Sequence, residues 1–339
     1  MKKRIFVVIS VMVLFVLTFA IFKIATQKED AILNVGYSIE SLDHAPIMII
    51  ADMNLSDKYG IKVNLIPLKG GKEVREALAL GKIDFGLGGA GHFLIPIAKG
   101  APVKIISFLT ESPTQIFVRP DKTVTKFSDI SGKNVASRIG GSSNLIFRFI
   151  LKKEGIDTNT INFLDIDKTI TPIALMNKKI VDLALAGDGE EPLYYKAGAV
   201  LFEDWVNKGY ANEPFPKSVI AVNTDFSEKN VDDVSNFILA IIDAEKYIKE
   251  HPNDAAEIIA KHIKKGSAGA VDYSPEDIIN SWRVTKYVLW KDPNVLVEFS
   301  KLSKELGNTP KELSKEQIFD LRFEEVLKNG QAEIYQSNN

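Results

Sequence analysis

The sequence predicts an α/β protein: two similar, mainly parallel sheet units followed by a helical C-terminal region. Three observations carry that prediction. Short apolar runs alternate with amphipathic helical segments from residue 32 to residue 186. A stretch of the first half, Leu78-Ala79-Leu80-Gly81-Lys82-Ile83-Asp84, is nearly repeated in the second as Leu175-Met176-Asn177-Lys178-Lys179-Ile180-Val181-Asp182. Each copy is a helix end, a tight turn, an aspartate and then a strand. Beyond residue 222 the apolar spacing is helical throughout. A chain of 339 residues fits two domains, at roughly 100–200 residues per domain.

Taken in order, residues 32–37 read as a strand and 45–58 as a helix, with Ile47, Ile50, Ala51 and Leu55 on one side and Gly60 as its stop. Residues 61–68 form a strand, 72–80 a helix with Val74, Ala77 and Leu78 inward, and 83–87 a strand that runs into Gly88-Gly89-Ala90-Gly91. A short helix over 93–99 ends at Gly100, and 103–109 is the next strand. The second unit repeats the scheme with a strand at 133–136, a helix at 142–154 stopped by Gly155, a strand at 161–166, a helix at 170–178 and a strand at 180–186. One more strand at 218–222 precedes helices over 231–249, 252–265, 275–289, 294–306 and 315–328. Pro252, Pro275, Pro293 and Pro310 stand at or before helix starts, where a missing N–H costs little.

Composition narrows the function. Hydrophobic residues make up 45% and charged residues 25%, an ordinary globular balance. The first 30 residues carry five basic and two acidic side chains, so with a net charge of −2 overall the remainder is −5. No basic stripe suited to a phosphate backbone is present, so nucleic acid is not an expected partner. The absence of cysteine excludes disulfides, thiolate metal sites, a cysteine nucleophile and a lipidated cysteine. Four scattered histidines show no metal-site spacing, and no metal or cofactor is expected. Lys2-Lys3-Arg4 precedes an apolar run over 5–22 broken only by Ser10 and Thr18. As a helix that run is ~27 Å long, close to the thickness of a bilayer core, and the basic flank stays cytoplasmic. Thr18-Phe19-Ala20 and Ala25-Thr26-Gln27 are poor cleavage sites. A retained signal anchor is therefore expected over a cleaved signal peptide, placing residues from about 30 onward outside the membrane or in the periplasm.

Several segments together resemble one family. Val35-Gly36-Tyr37-Ser38 precedes His44-Ala45-Pro46 and Lys58-Tyr59-Gly60-Ile61. Ala79-Leu80-Gly81-Lys82-Ile83-Asp84 and Ala98-Lys99-Gly100-Ala101-Pro102-Val103 follow. Phe127-Ser128-Asp129-Ile130-Ser131-Gly132-Lys133 and Gly140-Gly141-Ser142-Ser143 complete the series. Their order and spacing, over about residues 32–330, resemble the nitrate/sulfonate/taurine/bicarbonate-type substrate-binding proteins of ABC transporters. The resemblance implies a two-lobed type II periplasmic-binding-protein fold. Lobe I would combine 31–118 with 219–339, lobe II would be 119–218, and residues 1–30 would be the signal segment and linker. Strand crossings near 117–119 and 217–219 would form the hinge. It further implies a monomeric protein that captures a small solute by lobe closure and delivers it to an ABC permease with its cytoplasmic ATPase.

The cleft between the lobes is where open α/β sheets bind ligands, and the candidate contacts gather there. Gly141, Ser142 and Ser143 open a helix after a strand and suit an anion, though they also suit a plain serine cap. Arg138, two residues before the first glycine, could pair with a carboxylate or sulfonate, or lie in solvent. Tyr37, Ser38 and Glu40 follow the first strand, with His44 beside them, and the same loop also suits capping of the next helix through Asp43. Gly89 and Ala90 allow close backbone approach or tight strand–helix packing. Thr110, Ser112 and Gln115 stand near the expected hinge. Asp188, Glu190 and Glu191 follow the last strand of the second unit and could meet an amine or a nitrogen heterocycle, or simply face water. With Glu40 and Glu111, these acids speak against a purely anionic solute and for one carrying both an acceptor and an N–H. No catalytic residue is expected, since no nucleophile motif or paired acid and base appears. The alternatives are an enzyme of the same fold, of the menaquinone- or pyrimidine-pathway type, and an extracellular ligand sensor.

Overall fold

The computed structural model describes residues 30–121, 124–166, 170–187 and 189–336. The expected span over 5–22 and Asp188 lie outside the described residues. Among the described residues no helix is long and apolar enough to cross a membrane.

Among the described residues, thirteen strands form three sheets. In chain order they are β1 (Ala31–Ser38), β2 (Ile61–Leu68), β3 (Phe85–Gly89), β4 (Val103–Phe108), β5 (Thr110–Pro113), β6 (Ile116–Val118), β7 (Asn134–Ser137), β8 (Asn162–Asp165), β9 (Leu183–Leu185), β10 (Val200–Leu201), β11 (Pro214–Pro216), β12 (Ser218–Asn223) and β13 (Lys286–Tyr287). The first large sheet runs β2-β1-β3-β12-β4 and the second β10-β6-β9-β7-β8. In each, one interior strand pairs parallel on both sides: β1 with β2 and β3, and β7 with β8 and β9. One strand in each runs against the others: β12 in the first sheet and β6 in the second. Phe117 and Val118 already belong to the second sheet. The third sheet, β11-β5-β13, is antiparallel and spans the two connections between the large sheets.

The sequence repeat has a structural counterpart. Gly81 and Lys179 both take left-handed backbone, φ 65° and 60°, at the turn into their strands. Asp84 Oδ2 then accepts from the Asn34 N–H at 2.8 Å at the edge of β1. Asp182 Oδ2 accepts from the Asn134 N–H at 3.0 Å at the edge of β7. The two aspartates do the same work: they satisfy the strand end that the parallel ladder leaves open.

Several elements differ from the sequence reading. The first helix stops at Met53, because Asn54 adopts left-handed backbone (φ 53°) and closes it. The glycines at 88 and 89 end strand β3, and the helix expected from 93 starts at Ala90. The helix expected over 275–289 ends at Ser281, and Lys286–Tyr287 pairs with β5 instead. The last expected helix is broken into Lys315–Ile318, a 3₁₀ turn at Leu321–Phe323 and Glu324–Gln336.

Helices cover both faces of the first sheet. Val231–Glu250 lays Val234, Phe237, Ile238, Ile241 and Ile248 on it, the spacing of a single apolar stripe. Ala90–Ala98 lies on the other side, where Leu94 and Ile97 share an apolar cluster with Leu145 and Ile146 of the Ser142–Lys153 helix. That cluster, with Lys196–Asp277 at 2.5 Å and Lys152–Glu305 at 3.0 Å, links the two sheet systems.

Candidate ligand-binding site

Three helices begin at the junction of the two lobes: Gly71–Ala79, Ala90–Ala98 and Ser142–Lys153. Each follows a strand of a parallel pair, and each has a glycine at its N-cap, Gly70, Gly89 and Gly141, with no side-chain cap hydrogen bond. No side chain of the N-cap residues competes for the first-turn N–H groups, and three positive helix ends converge on one space. The glycines also permit the approach itself. A methyl group on Gly91 would stand 2.4 Å from the Gly140 carbonyl oxygen across the lobe junction.

Between these helix starts lies a cavity of about 90 Å³. It exceeds the space a single water needs and falls well below the range of drug-sized ligands. Its wall carries four charged side chains. Arg138 Nη2 donates to Glu190 Oε1 at 2.5 Å, and Glu190 Oε2 accepts from the Gly187 N–H at 2.6 Å. Lys217 is buried, and its Nζ donates to Thr114 Oγ1 at 2.7 Å and Ser143 Oγ at 2.9 Å. Its carbonyl accepts from Ser142 Oγ and from the Ala90 N–H, both at 2.9 Å. Lys217 thus ties the starts of two helices, one from each lobe, to the strand that returns to the first sheet. Asp43 Oδ2 accepts from Ser218 Oγ at 3.0 Å.

Two buried histidines complete the wall. Burial pushes His44 down to about 4, opposed by its hydrogen bond to Ser38. Burial pushes His92 down to about 3, with the Arg75 and Arg138 guanidiniums adding to the shift. Both are neutral at physiological pH. The wall therefore presents two cations and two carboxylates, plus helix N-termini that favour an acceptor.

Of the residues expected from sequence, Ser38, His44, Gly89, Arg138, Gly141, Ser142, Ser143 and Glu190 line this cavity. The others lie elsewhere. The Tyr37 hydroxyl is 2.9 Å from His262 Nε2, which turns it away from the cavity. Glu40 sits in the turn after β1, outside the wall. The Ala90 N–H is used by Lys217. Thr110 Oγ1 accepts from the Ser218 N–H at 3.2 Å, joining the three-stranded sheet to β12, and Ser112 Oγ donates to the Pro113 carbonyl at 3.3 Å within the three-stranded sheet. Gln115 Nε2 donates to the Ala211 carbonyl at 3.1 Å. Glu191 lines a separate groove with Tyr195 and Pro214, and Glu111 pairs with Lys291 at 2.7 Å. Asp43, His92, Lys217 and the Gly70-Gly71 helix start also line the cavity, and sequence reasoning had not named them as site residues. One signal was available for the last: Gly70-Gly71, Gly88-Gly89 and Gly140-Gly141 are three glycine pairs, each between a strand and a helix.

The family model described as NMT1/THI5 like matches residues 41–255, a stretch that holds all but one of the cavity-lining residues. The chain belongs to the NMT1/THI5-like family. Among relatives in that direction, a Brucella abortus protein provisionally named as a binding protein is 24% identical over 272 residues, 79% of this chain and 81% of its own. A Legionella pneumophila protein named 4-amino-5-hydroxymethyl-2-methylpyrimidine phosphate synthase is 29% identical over 129 residues, 38% of this chain and 40% of its own. In three dimensions the NMT1/THI5-like chain resembles the alkanesulfonate-binding protein of Xanthomonas axonopodis pv. citri, solved with MOPS bound. The TM-score is 0.71 at 18% identity, over 86% of this chain and 99% of that one. The fold is thus the two-lobed periplasmic-binding-protein fold.

Proposed function

We propose that this NMT1/THI5-like protein is the solute-binding component of an ABC importer, closing two lobes around a small solute and handing it to a membrane permease. The observation that carries the reading is the small cavity at the lobe junction, where three helix starts without side-chain caps meet Arg138, Lys217, Glu190 and Asp43. The binding-protein names of the Brucella relative and the Xanthomonas structure support it. The lobe around the first sheet and the lobe around the second, which takes over at Ile116 and gives back the chain at Ser218, would close on the solute, tethered by the apolar segment over 5–22.

The wall chemistry argues for a solute with two ends. An oxyanion or ring nitrogen suits the helix starts and Lys217. An amine or ring N–H suits the acceptor capacity that Glu190 keeps beyond its bonds to Arg138 and the Gly187 N–H. Aminosulfonates and aminopyrimidines meet both demands. Mass spectrometry of solute co-purified with the protein, followed by a thermal-shift panel of sulfonates, nitrate, bicarbonate, aminopyrimidines and amino compounds, tests this. A two-ended solute should raise the melting temperature of the wild type. Lys217→Met should weaken its binding about 10- to 100-fold, as expected for loss of a charge-assisted contact of about 1.5–3 kcal/mol. Tight binding of nitrate or an unsubstituted alkanesulfonate would overturn the two-ended solute.

A second reading, an enzyme of pyrimidine synthesis, is favoured by the Legionella relative. Recovery of the solute chemically unchanged after incubation with the protein counts for transport, and recovery of an altered product counts for the enzyme.

A further inference from the structure

One residue of the cavity wall has ring nitrogens facing different chemistry. His92 stands in the first turn of the Ala90–Ala98 helix and is buried. Its Nδ1 lies 3.5 Å from Arg75 Nη1 of the Gly71–Ala79 helix. A guanidinium offers donors only, so the ring nitrogen beside it must be the acceptor. The proton of the neutral ring then sits on Nε2. That nitrogen points into the lobe junction. A methyl group on Gly71 would stand 3.0 Å from it, and one on Gly141 of the opposite lobe 3.1 Å. A second proton is disfavoured from several sides. Arg75 and Arg138 face the ring as cations, and Lys217 is a third cation on the same wall. The acids of that wall, Glu190 and Asp43, are engaged by Arg138 and Ser218, and His44 is neutral.

We propose that Arg75 is a positioning residue that locks His92 as its Nε2–H tautomer, so that His92 presents a donor, and never an acceptor, to the solute. This rests on the binding-protein reading and sharpens it. The acceptor end of the solute is held by His92, Lys217 and the Gly141–Ser143 helix start, and its donor end is left to Glu190. A solute bound the other way round would set an N–H against the His92 N–H and forfeit that hydrogen bond.

The test uses no solute, so it stands apart from the transport reading. Full-length protein in detergent, with its four histidines labelled with ¹⁵N, gives side-chain nitrogen spectra in which His92 is assigned by its loss in His92→Gln. The expected result at pH 6–8 is a neutral His92 with a protonated Nε2 and a bare Nδ1. Arg75→Met should give a mixture of tautomers, and Arg75→Lys, which keeps a donor, should restore the single form. A His92 protonated on Nδ1, a doubly protonated ring at pH 6, or spectra unchanged in Arg75→Met would each overturn the proposal. Failure of every solute in the thermal-shift panel would remove the transport reading and leave the tautomer decided by these spectra.

Discussion

Replacing Gly91 by alanine is expected to weaken solute binding by about 100-fold while leaving both lobes folded. Gly91 lies in the first turn of Ala90–Ala98, where its backbone is ordinary helix and alanine is favoured over glycine by about 0.5–1 kcal/mol. Local stability should therefore hold or rise. The conflict is across the junction. The new methyl group would meet the Gly140 carbonyl oxygen at 2.4 Å and Leu145 Cδ1 at 2.8 Å. A leucine terminus can move, but a backbone carbonyl at a helix start cannot move without dragging the Gly141–Ser143 turn with it. The lobes would stop short of contact, and Lys217 could no longer bond Ser142 and Ser143 together. A solute held from one lobe only loses the contacts that favour the closed population, and 100-fold corresponds to about 2.7 kcal/mol. Calorimetric titration with the co-purified solute, alongside small-angle scattering, measures both parts. The wild type should become more compact on saturation, and Gly91→Ala should not. Wild-type affinity and wild-type compaction in the variant would remove lobe closure as the binding step.

Most of the scaffold was legible because its signals are local. Apolar alternation located β1–β4 and the helices between them, and the Asp84 and Asp182 repeat marked two equivalent strand edges. The third sheet was not legible. Thr110–Pro113 and Pro214–Pro216 are short and proline-ended, so they carry no alternation to read. Lys286–Tyr287 sits in a stretch with helical spacing, and only its pairing with Glu111 and Thr110 makes it a strand. Tertiary contact overrode local preference there. The site divides the same way. Gly141, Ser142 and Ser143 could be found because a strand–glycine–helix junction is a local pattern with a physical use. Lys217 could not, since its value comes from reaching Thr114 and Ser143, far away in the chain. His92 was hidden for the same reason, as Arg75 lies on another helix and Arg138 and Gly141 on the turn after β7. Glu190 and Glu191 are neighbours on a helix start, yet one faces the cavity and the other a different groove. Adjacency in sequence does not resolve direction at a turn.

Glu245→Gln is expected to make the protein more stable than the wild type at pH 8, by about 1.4 kcal/mol for each pH unit over which the folded state holds a proton that the unfolded chain has released. Position 245 falls on the apolar stripe of Val231–Glu250, in line with Ile238, Ile241 and Ile248. The side chain is 3% exposed, and among the described residues its Oε1 has no hydrogen-bond partner. Burial raises its pKa well above the usual carboxylate range, with no compensating cation. Between the unfolded value of about 4.3 and the raised folded value, the native state holds a proton that the unfolded chain has released. Stability from this group is therefore complete below about pH 4.3 and is lost as pH rises toward the folded pKa. His44 and His92 act in the opposite sense. Their folded values are depressed, so their contribution is complete above the unfolded value of about 6.5 and falls as pH drops toward about 4 and 3. The overall pH profile thus mixes two signs, and the difference between variant and wild type isolates Glu245. Urea midpoints should nearly coincide at pH 4.5 and separate steadily toward pH 8, with glutamine the more stable. A glutamine variant that tracks the wild type across that range would show that the carboxyl is not carried protonated in the folded core.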